Sequence, residues 1–191
     1  MDLLAELHAK VATLARYEGT QGVRAAVRHI AAGERHLQRG RASADDDSYN
    51  DVIYRTNQAF EGLLKEAYRL IVGPNASRLT PHEIEQHFAT EKWLTERVLI
   101  AFQRYRKEWR NPSTHDHTLL FSEQEALLAL VSVTAFAVVL IDQITESVTF
   151  QHQQSVQQDD GRTPLDRAFD RTPFNHAMVQ RIRSLQSRTD E

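Results

Sequence analysis

The chain of 191 residues is 41% hydrophobic and 26% charged, the balance of a globular protein with one principal core. It contains no cysteine, which excludes disulfides, thiolate catalysis and cysteine-ligated zinc, and its 7 glycines and 5 prolines favour long helices over many short strands. The net charge of -3 excludes a surface that is positive throughout, so any contact with nucleic acid must use a local basic patch.

The first third of the chain predicts three helices. Apolar residues at helical spacing indicate one helix over residues 2–17 and a second from Thr20 to about Arg41. The second helix carries an outward stripe of arginines, which we interpret as a solvated face: Arg24, Arg28, Arg35 and Arg39. The acidic residues 45–47 suit a helix N-terminus and lack the spacing of a calcium loop. The third helix keeps a 3.6-residue period from Tyr49 to Ile71.

Two capping boxes predict later helix starts, each with a hydroxyl residue three positions before a glutamate: Thr80 with Glu83, and Ser122 with Glu125. Between them a helix is expected from about Thr90 to Arg110, followed by a break over residues 111–121. We expect Trp93 and Trp109 to belong to the core and not to stack on bases. The last long helix should run to about Thr149.

The apolar stretch over residues 126–141 is shorter than the ~20 residues that a bilayer requires, so it predicts a buried core helix and no membrane span. Residues 151–161 are polar and predict a linker, and a short tail helix is expected beyond Thr172. The N-terminus lacks a signal-peptide pattern, so we expect a cytoplasmic protein. These patterns predict an all-α fold, an up-and-down bundle of four to five long helices over residues 1–150, with a linker and tail over 151–191.

The break after the fifth helix holds the residues best suited to chemistry, Arg110-Asn111-Pro112-Ser113-Thr114-His115. Proline stiffens the predicted loop, so that Arg110 and His115 can be held close. Histidine exchanges protons near neutral pH, and arginine stays charged and binds phosphate oxygens. RNA carries its own 2′-hydroxyl nucleophile, so such a pair could cleave it with no metal or other cofactor. Taken alone, an arginine and a histidine at this spacing also occur as a structural pair.

The same six residues, between two long helices of an all-helical domain, resemble the motif of the HEPN superfamily: an arginine, four to six residues, then a histidine. The resemblance covers roughly residues 45–150. It implies a homodimeric helical bundle that cleaves RNA without metal, often as a toxin or an anti-phage defence effector with an antitoxin or defence partner. It gives Arg110 and His115 catalytic roles and Asn111 a positioning role. The chain departs from nucleotidylated family toxins, which have tyrosine where this chain has His117.

Residues near the motif complete the predicted site. The basic side chains of Arg104, Arg106 and Lys107, together with His117, are candidates for RNA binding. A metal site at His115-Asp116-His117 is not expected, because adjacent loop residues cannot readily complete a coordination shell. Two alternatives to a nuclease stay open: a catalytically silent module that binds a protein or nucleotide, and a dimeric bundle in which Arg110 and His115 only tie down a loop.

Overall fold

A computed structural model describes residues 2–43, 45–115 and 118–159, without the side chains of residues 75, 114, 115 and 155–159. These ranges contain the helices α1 (Leu3–Leu14), α2 (Gln21–Ser43), α3 (Asp47–Ile71), α4 (Pro81–Thr90), α5 (Glu96–Tyr105), α6 (Asn111–His115) and α7 (Glu123–Asp159). A 3-10 turn, Pro74–Arg78, follows α3, and a π-helical turn, Arg106–Arg110, joins α5 to α6. No strand occurs in the described ranges, and the predicted all-α helical bundle is confirmed.

The chain divides into two compact units, residues 1–148 and 149–191. In the first unit, the buried apolar faces of the helices form one core, and its largest fully buried side chains include Phe60, Phe88, Phe102 and Tyr105. Of the second unit, the structure describes residues 149–159, all of them helical.

Helices α2 and α3 run antiparallel, and they pack closely because small residues line their contact. Gly33 lies against Thr56, and Gly40 lies against Tyr49. A Cβ atom at Gly40 would stand 2.6 Å from the Tyr49 ring, so only glycine permits this approach. The pattern of inward apolar residues predicted for both helices is confirmed by their buried positions.

Helix α7 contributes one side to the core of the first unit. Its buried residues include Ala126, Val133, Ala137 and Ile144, and the Lys10 Nζ atom lies 2.6 Å from Asp142 Oδ1. The part from Glu123 to Gln154 is long and apolar enough to cross a membrane by length and composition alone, with 44% of its most apolar window buried. Core helices of globular proteins commonly share these properties.

Both predicted capping boxes are confirmed. Glu83 accepts hydrogen bonds from the Thr80 amide and hydroxyl at 2.7 and 2.8 Å, and Glu125 accepts from the Ser122 amide and hydroxyl at 2.8 and 2.7 Å. Each box fixes the first turn of its helix by satisfying amides that have no intrahelical partner.

The predicted start of the fifth helix and the predicted linker are both wrong. The fifth helix begins at Glu96 and not near Thr90, after a turn in which Lys92 has a φ of 55°. The predicted linker over residues 151–161 is helical as far as Asp159. Its glutamines are good helix formers, and neither glycine nor proline occurs in it before Gly161. The segment therefore continues α7 although it is polar. Residues 160–191, with the predicted tail helix, lie outside the described residues.

Candidate functional site

The candidate motif lies on a helix and not in a loop, which corrects the expected break after Arg110. The backbone N–H of Asn111 donates a hydrogen bond to the Arg106 carbonyl, five residues back, and closes a π-turn. Helix α6 then begins at Asn111, with Pro112 in its first turn, where the missing N–H removes no intrahelical bond. The wide π-turn also gives the proline ring room that a regular α-helix lacks. Proline therefore changes the helix register here without ending the helix.

A partly buried hydrogen-bond network fixes this helical segment to α3. The Tyr105 hydroxyl lies 2.9 Å from Thr56 Oγ1 and 2.9 Å from Asn57 Oδ1. The side-chain amide of Asn57 donates to Ser113 Oγ at 2.6 Å, and the Ser113 hydroxyl donates to the Arg110 carbonyl at 3.1 Å. Burial raises the pKa of Tyr105, partly offset by its hydrogen bond to Thr56, so the phenol stays neutral. The network anchors the backbone of the motif on both sides of Pro112.

Glu61 and Asn111 each contact the Arg110 guanidinium through a side-chain oxygen atom. Its Nη2 lies 3.3 Å from Glu61 Oε2, and its Nη1 lies 3.3 Å from Asn111 Oδ1. The Arg110 side chain is 25% exposed, so it can be reached from solvent. Lys65 lies one turn beyond Glu61, with its Nζ 3.0 Å from Glu61 Oε1. Burial pulls the pKa of Glu61 upward, but hydrogen bonds and charge from Lys65 and then Arg110 hold it below its ordinary value.

The two predicted catalytic residues and the predicted positioning residue share one helical segment. Arg110 closes the π-turn, Asn111 begins α6 and touches Arg110, and the backbone of His115 closes α6. Five residues of helix advance by about 7.5 Å, within the reach of an arginine side chain. The structure does not describe the side chain of His115 or any part of His117, so the predicted pairing of Arg110 with His115 stays a prediction.

The predicted RNA-binding residues differ in what they contact. Lys107 is exposed and makes no ion pair with the described residues. Arg104 is exposed and donates to Glu108 at 2.7 Å. Arg106 forms an ion pair of 3.0 Å with Glu85, with side chains only 12% and 0% exposed. Arg106 is therefore not a suitable RNA-binding residue, because its charge is paired with the buried Glu85 carboxylate.

A groove opens beside the motif between α5, the π-turn and α7. Its volume is about 440 Å³. Arg104, Glu108 and Trp109 line one wall, and Leu128, Val131 and Phe136 are among the residues of the other. The two tryptophans pack against the core as predicted, and both are partly buried.

Several residues of the site were not predicted from the sequence. Asn57, Glu61 and Lys65 follow one another at four-residue intervals on α3, which puts three polar side chains on one helix face. That face borders the apolar stripe, and this pattern could have identified a polar contact with a neighbouring helix. The partner of Asn57, Ser113, could not be found in this way because the contact spans 56 positions in the chain.

Among the described residues, no group of three or more His, Cys, Asp or Glu side chains could hold a metal ion. The candidate site thus contains Arg110, held by Glu61, on a helical turn that the hydrogen bond from Asn57 to Ser113 fixes. Exposed basic residues and a groove lie beside it. Comparison with protein-family models, with curated proteins and with solved structures finds no match to this chain.

Proposed function

We propose that this protein is a metal-independent endoribonuclease that acts as a homodimer, with Arg110 and His115 as its catalytic residues. One observation supports the proposal above all others. Arg110, the first residue of the HEPN-like motif, is held by Glu61 and Asn111 on a helical turn that Ser113 and Asn57 brace. Such positioning is what electrostatic catalysis requires, because donors fixed in advance need no reorganisation when charge develops.

The proposed reaction is transesterification within RNA. The 2′-oxygen forms a bond to phosphorus, the bond from phosphorus to the 5′-oxygen breaks, and the products are a 2′,3′-cyclic phosphate and a 5′-hydroxyl. One proton leaves the 2′-hydroxyl and one reaches the departing 5′-oxygen, and His115 carries one of these protons. Arg110 compensates the charge that accumulates on the phosphate oxygens.

The cellular setting follows from the resemblance alone. We propose a cytoplasmic toxin or anti-phage effector that an antitoxin or another defence protein controls. Lys107 and Arg104 extend the positive surface beside Arg110 and would contact flanking phosphates.

The test is cleavage of single-stranded RNA by the pure protein in excess EDTA, with single-stranded DNA of the same sequence as the control substrate. We expect RNA cleavage with 2′,3′-cyclic ends and intact DNA. His115→Ala should lower the rate by roughly 10²–10⁴-fold, and Arg110→Ala should raise the barrier by roughly 3–4 kcal/mol. Arg97→Ala removes an exposed arginine of α5 and should keep the wild-type rate.

Circular dichroism and urea unfolding must show that each variant is folded. Arg110→Lys gives a second variant in case Arg110→Ala, which lacks the contact to Glu61, does not fold. If folded His115→Ala and Arg110→Ala variants keep full activity, the catalytic assignment is wrong. Loss of wild-type cleavage in EDTA would contradict the metal-independent mechanism.

A second candidate is a catalytically silent module that binds a protein or a nucleotide. The ion pair between Arg110 and Glu61 favours it, since this contact would also serve to anchor α6 to α3. RNA binding without cleavage, or no interaction with RNA at all, would support this candidate over the nuclease.

A further inference from the structure

The exposed face of α2 is the most strongly basic helix face in the described chain. Over residues 21–43 the helix has five arginines against one acidic residue, Glu34. Four of the arginines lie on its solvent side, and we call them the α2 stripe: Arg24, Arg28, Arg35 and Arg39. None of the four forms an ion pair with a described residue, whereas Arg41 binds Glu123 at 2.8 Å.

The α2 stripe is straight. Its members are separated by four, seven and four residues, the intervals that keep side chains on one face of an α-helix. The stripe spans about 22 Å, and its four-residue steps advance by about 6 Å each. Charges arranged in such a row suit a linear polyanion better than a compact anion.

A groove lies at one end of the stripe, between α1 and α2. Its volume is about 460 Å³, enough for a nucleotide, and Val11, Val27 and Ala31 contribute its apolar lining. The polar groups on its rim are the side chains of His8, Gln21, Arg24 and Arg28. Cations beside an apolar floor with hydrogen-bonding groups suit a phosphate and the base attached to it.

From these observations we propose that the α2 stripe, with the adjoining groove, binds the phosphate backbone of single-stranded RNA. An anionic membrane is a poorer match, because the exposed large hydrophobic side chains of the described residues lie outside α1 and α2. The choice of RNA among linear polyanions rests on the proposed function. The surface itself is independent of Arg110 and His115.

The test measures binding by the full chain to a fluorescent 2′-O-methyl oligouridylate, which lacks the nucleophile and cannot be cut. Counterion release predicts that each lost arginine contact weakens binding about fourfold near 0.15 M salt. Arg24→Ala/Arg28→Ala should therefore bind about 15-fold more weakly, and the slope of log Kd against log salt should fall by about 1.4. Arg24→Lys/Arg28→Lys keeps the charges and should retain most of the affinity.

The matched control is Arg78→Ala/Lys92→Ala, which removes two exposed cations that form no ion pair with the described residues. It should bind like the wild-type chain. The proposal is overturned if the wild-type chain does not bind or if Arg24→Ala/Arg28→Ala binds normally. It is also overturned if Arg24→Ala/Arg28→Ala and Arg78→Ala/Lys92→Ala weaken binding equally. If Arg24→Ala/Arg28→Ala loses binding to phosphatidylserine vesicles but still binds RNA, the proposal is overturned in favour of a lipid surface. RNA binding that depends on the stripe, without cleavage of unmodified RNA, would refute the nuclease and leave this proposal intact.

Discussion

Glu61 lies between two cations, Lys65 and Arg110, and it is the contact that holds the candidate catalytic arginine in place. Its Oε1 atom lies 3.0 Å from Lys65 Nζ, and its Oε2 atom lies 3.3 Å from Arg110 Nη2. Since these neighbours lower the pKa of Glu61 despite its partial burial, the carboxylate stays ionised at neutral pH. Glu61 therefore acts as a positioning anion and is not a suitable proton carrier at that pH.

The ion pairs of Glu61 predict a definite pH dependence of stability. A pKa that is lower in the folded state means that the folded chain binds the proton more weakly than the unfolded chain. The stabilisation is therefore complete above the unfolded pKa, about 4.3, and is lost as the pH falls through the lower folded pKa. Urea unfolding should show that Glu61→Gln is less stable than the wild-type chain at about pH 7, and the difference should shrink toward about pH 3.

The control for this experiment is Glu146→Gln, an exposed glutamate of α7 that forms no ion pair with the described residues. It should leave stability nearly unchanged across the same range. A difference between the wild-type chain and Glu61→Gln that is constant with pH would show that the charge of Glu61 is not what stabilises the contact.

At the scale of single residues, the sequence predicted what depends on helical period and missed what depends on distant contacts. Val52, Phe60 and Phe102 are buried as their spacing indicated. Arg106 was assigned to RNA because its neighbours in sequence are basic. Its actual partner, Glu85, lies 21 positions away on another helix, and no local pattern brings the two together.

At the scale of elements, the ion pair between Glu85 and Arg106 connects α4 to the π-turn that precedes the motif. Arg106 Nη2 also lies 3.2 Å from His82 Nδ1, so the turn contacts the N-terminal half of α4 twice. Removing one partner from a buried pair leaves the other charge in a poorly solvating environment. The pair should therefore matter for the stability of the bundle and for the orientation of Arg110.

Arg106→Ala should lower the free energy of unfolding by roughly 3–5 kcal/mol, because it leaves the Glu85 carboxylate buried and unpaired. Arg104→Ala is the matched control on the same segment: its exposed pair with Glu108 should contribute no more than about 0.5 kcal/mol. Glu85→Leu/Arg106→Leu should recover most of the lost stability, since no charge remains buried. Equal effects of Arg106→Ala and Arg104→Ala in urea unfolding would refute the role of the buried pair.

The helices themselves were largely predictable, and their irregular ends were not. Thr80 with Glu83 and Ser122 with Glu125 determine helix starts through contacts within four residues, so the sequence suffices. Pro112 was expected to break the helix, but the π-turn before it accommodates the ring. This change of helix register could not be predicted from the proline and its sequence neighbours alone. It depends on contacts that Tyr105 and Ser113 make with α3.

At the scale of the whole molecule, the proposed nuclease needs a second copy, and α7 offers an apolar surface suited to it. Leu127, Leu128 and Val131 form an exposed ridge, with exposed fractions of 38%, 56% and 44%. Grooves of about 440 Å³ flank the ridge on both sides, one bordered by Arg104 and the other by Arg41. A ridge between two grooves can pack against its own copy about a two-fold axis. Each groove border also holds an acidic residue, Glu108 or Glu34, so two copies would not oppose charges of one sign.

This surface predicts a dimer that one substitution separates. Light scattering at micromolar concentration should give about twice the chain mass of 21.9 kDa. Leu128→Glu introduces a charge at the centre of the ridge and should give a folded monomer. This monomer should no longer cleave RNA, because the HEPN resemblance implies a site in which the motifs of two copies face each other. Tyr54→Glu is the matched control, since Tyr54 is 57% exposed on α3, and it should remain dimeric and active. A wild-type monomer that cleaves RNA would show that one Arg110–His115 pair suffices. A dimeric Leu128→Glu variant would mean that another face of the molecule joins the two copies.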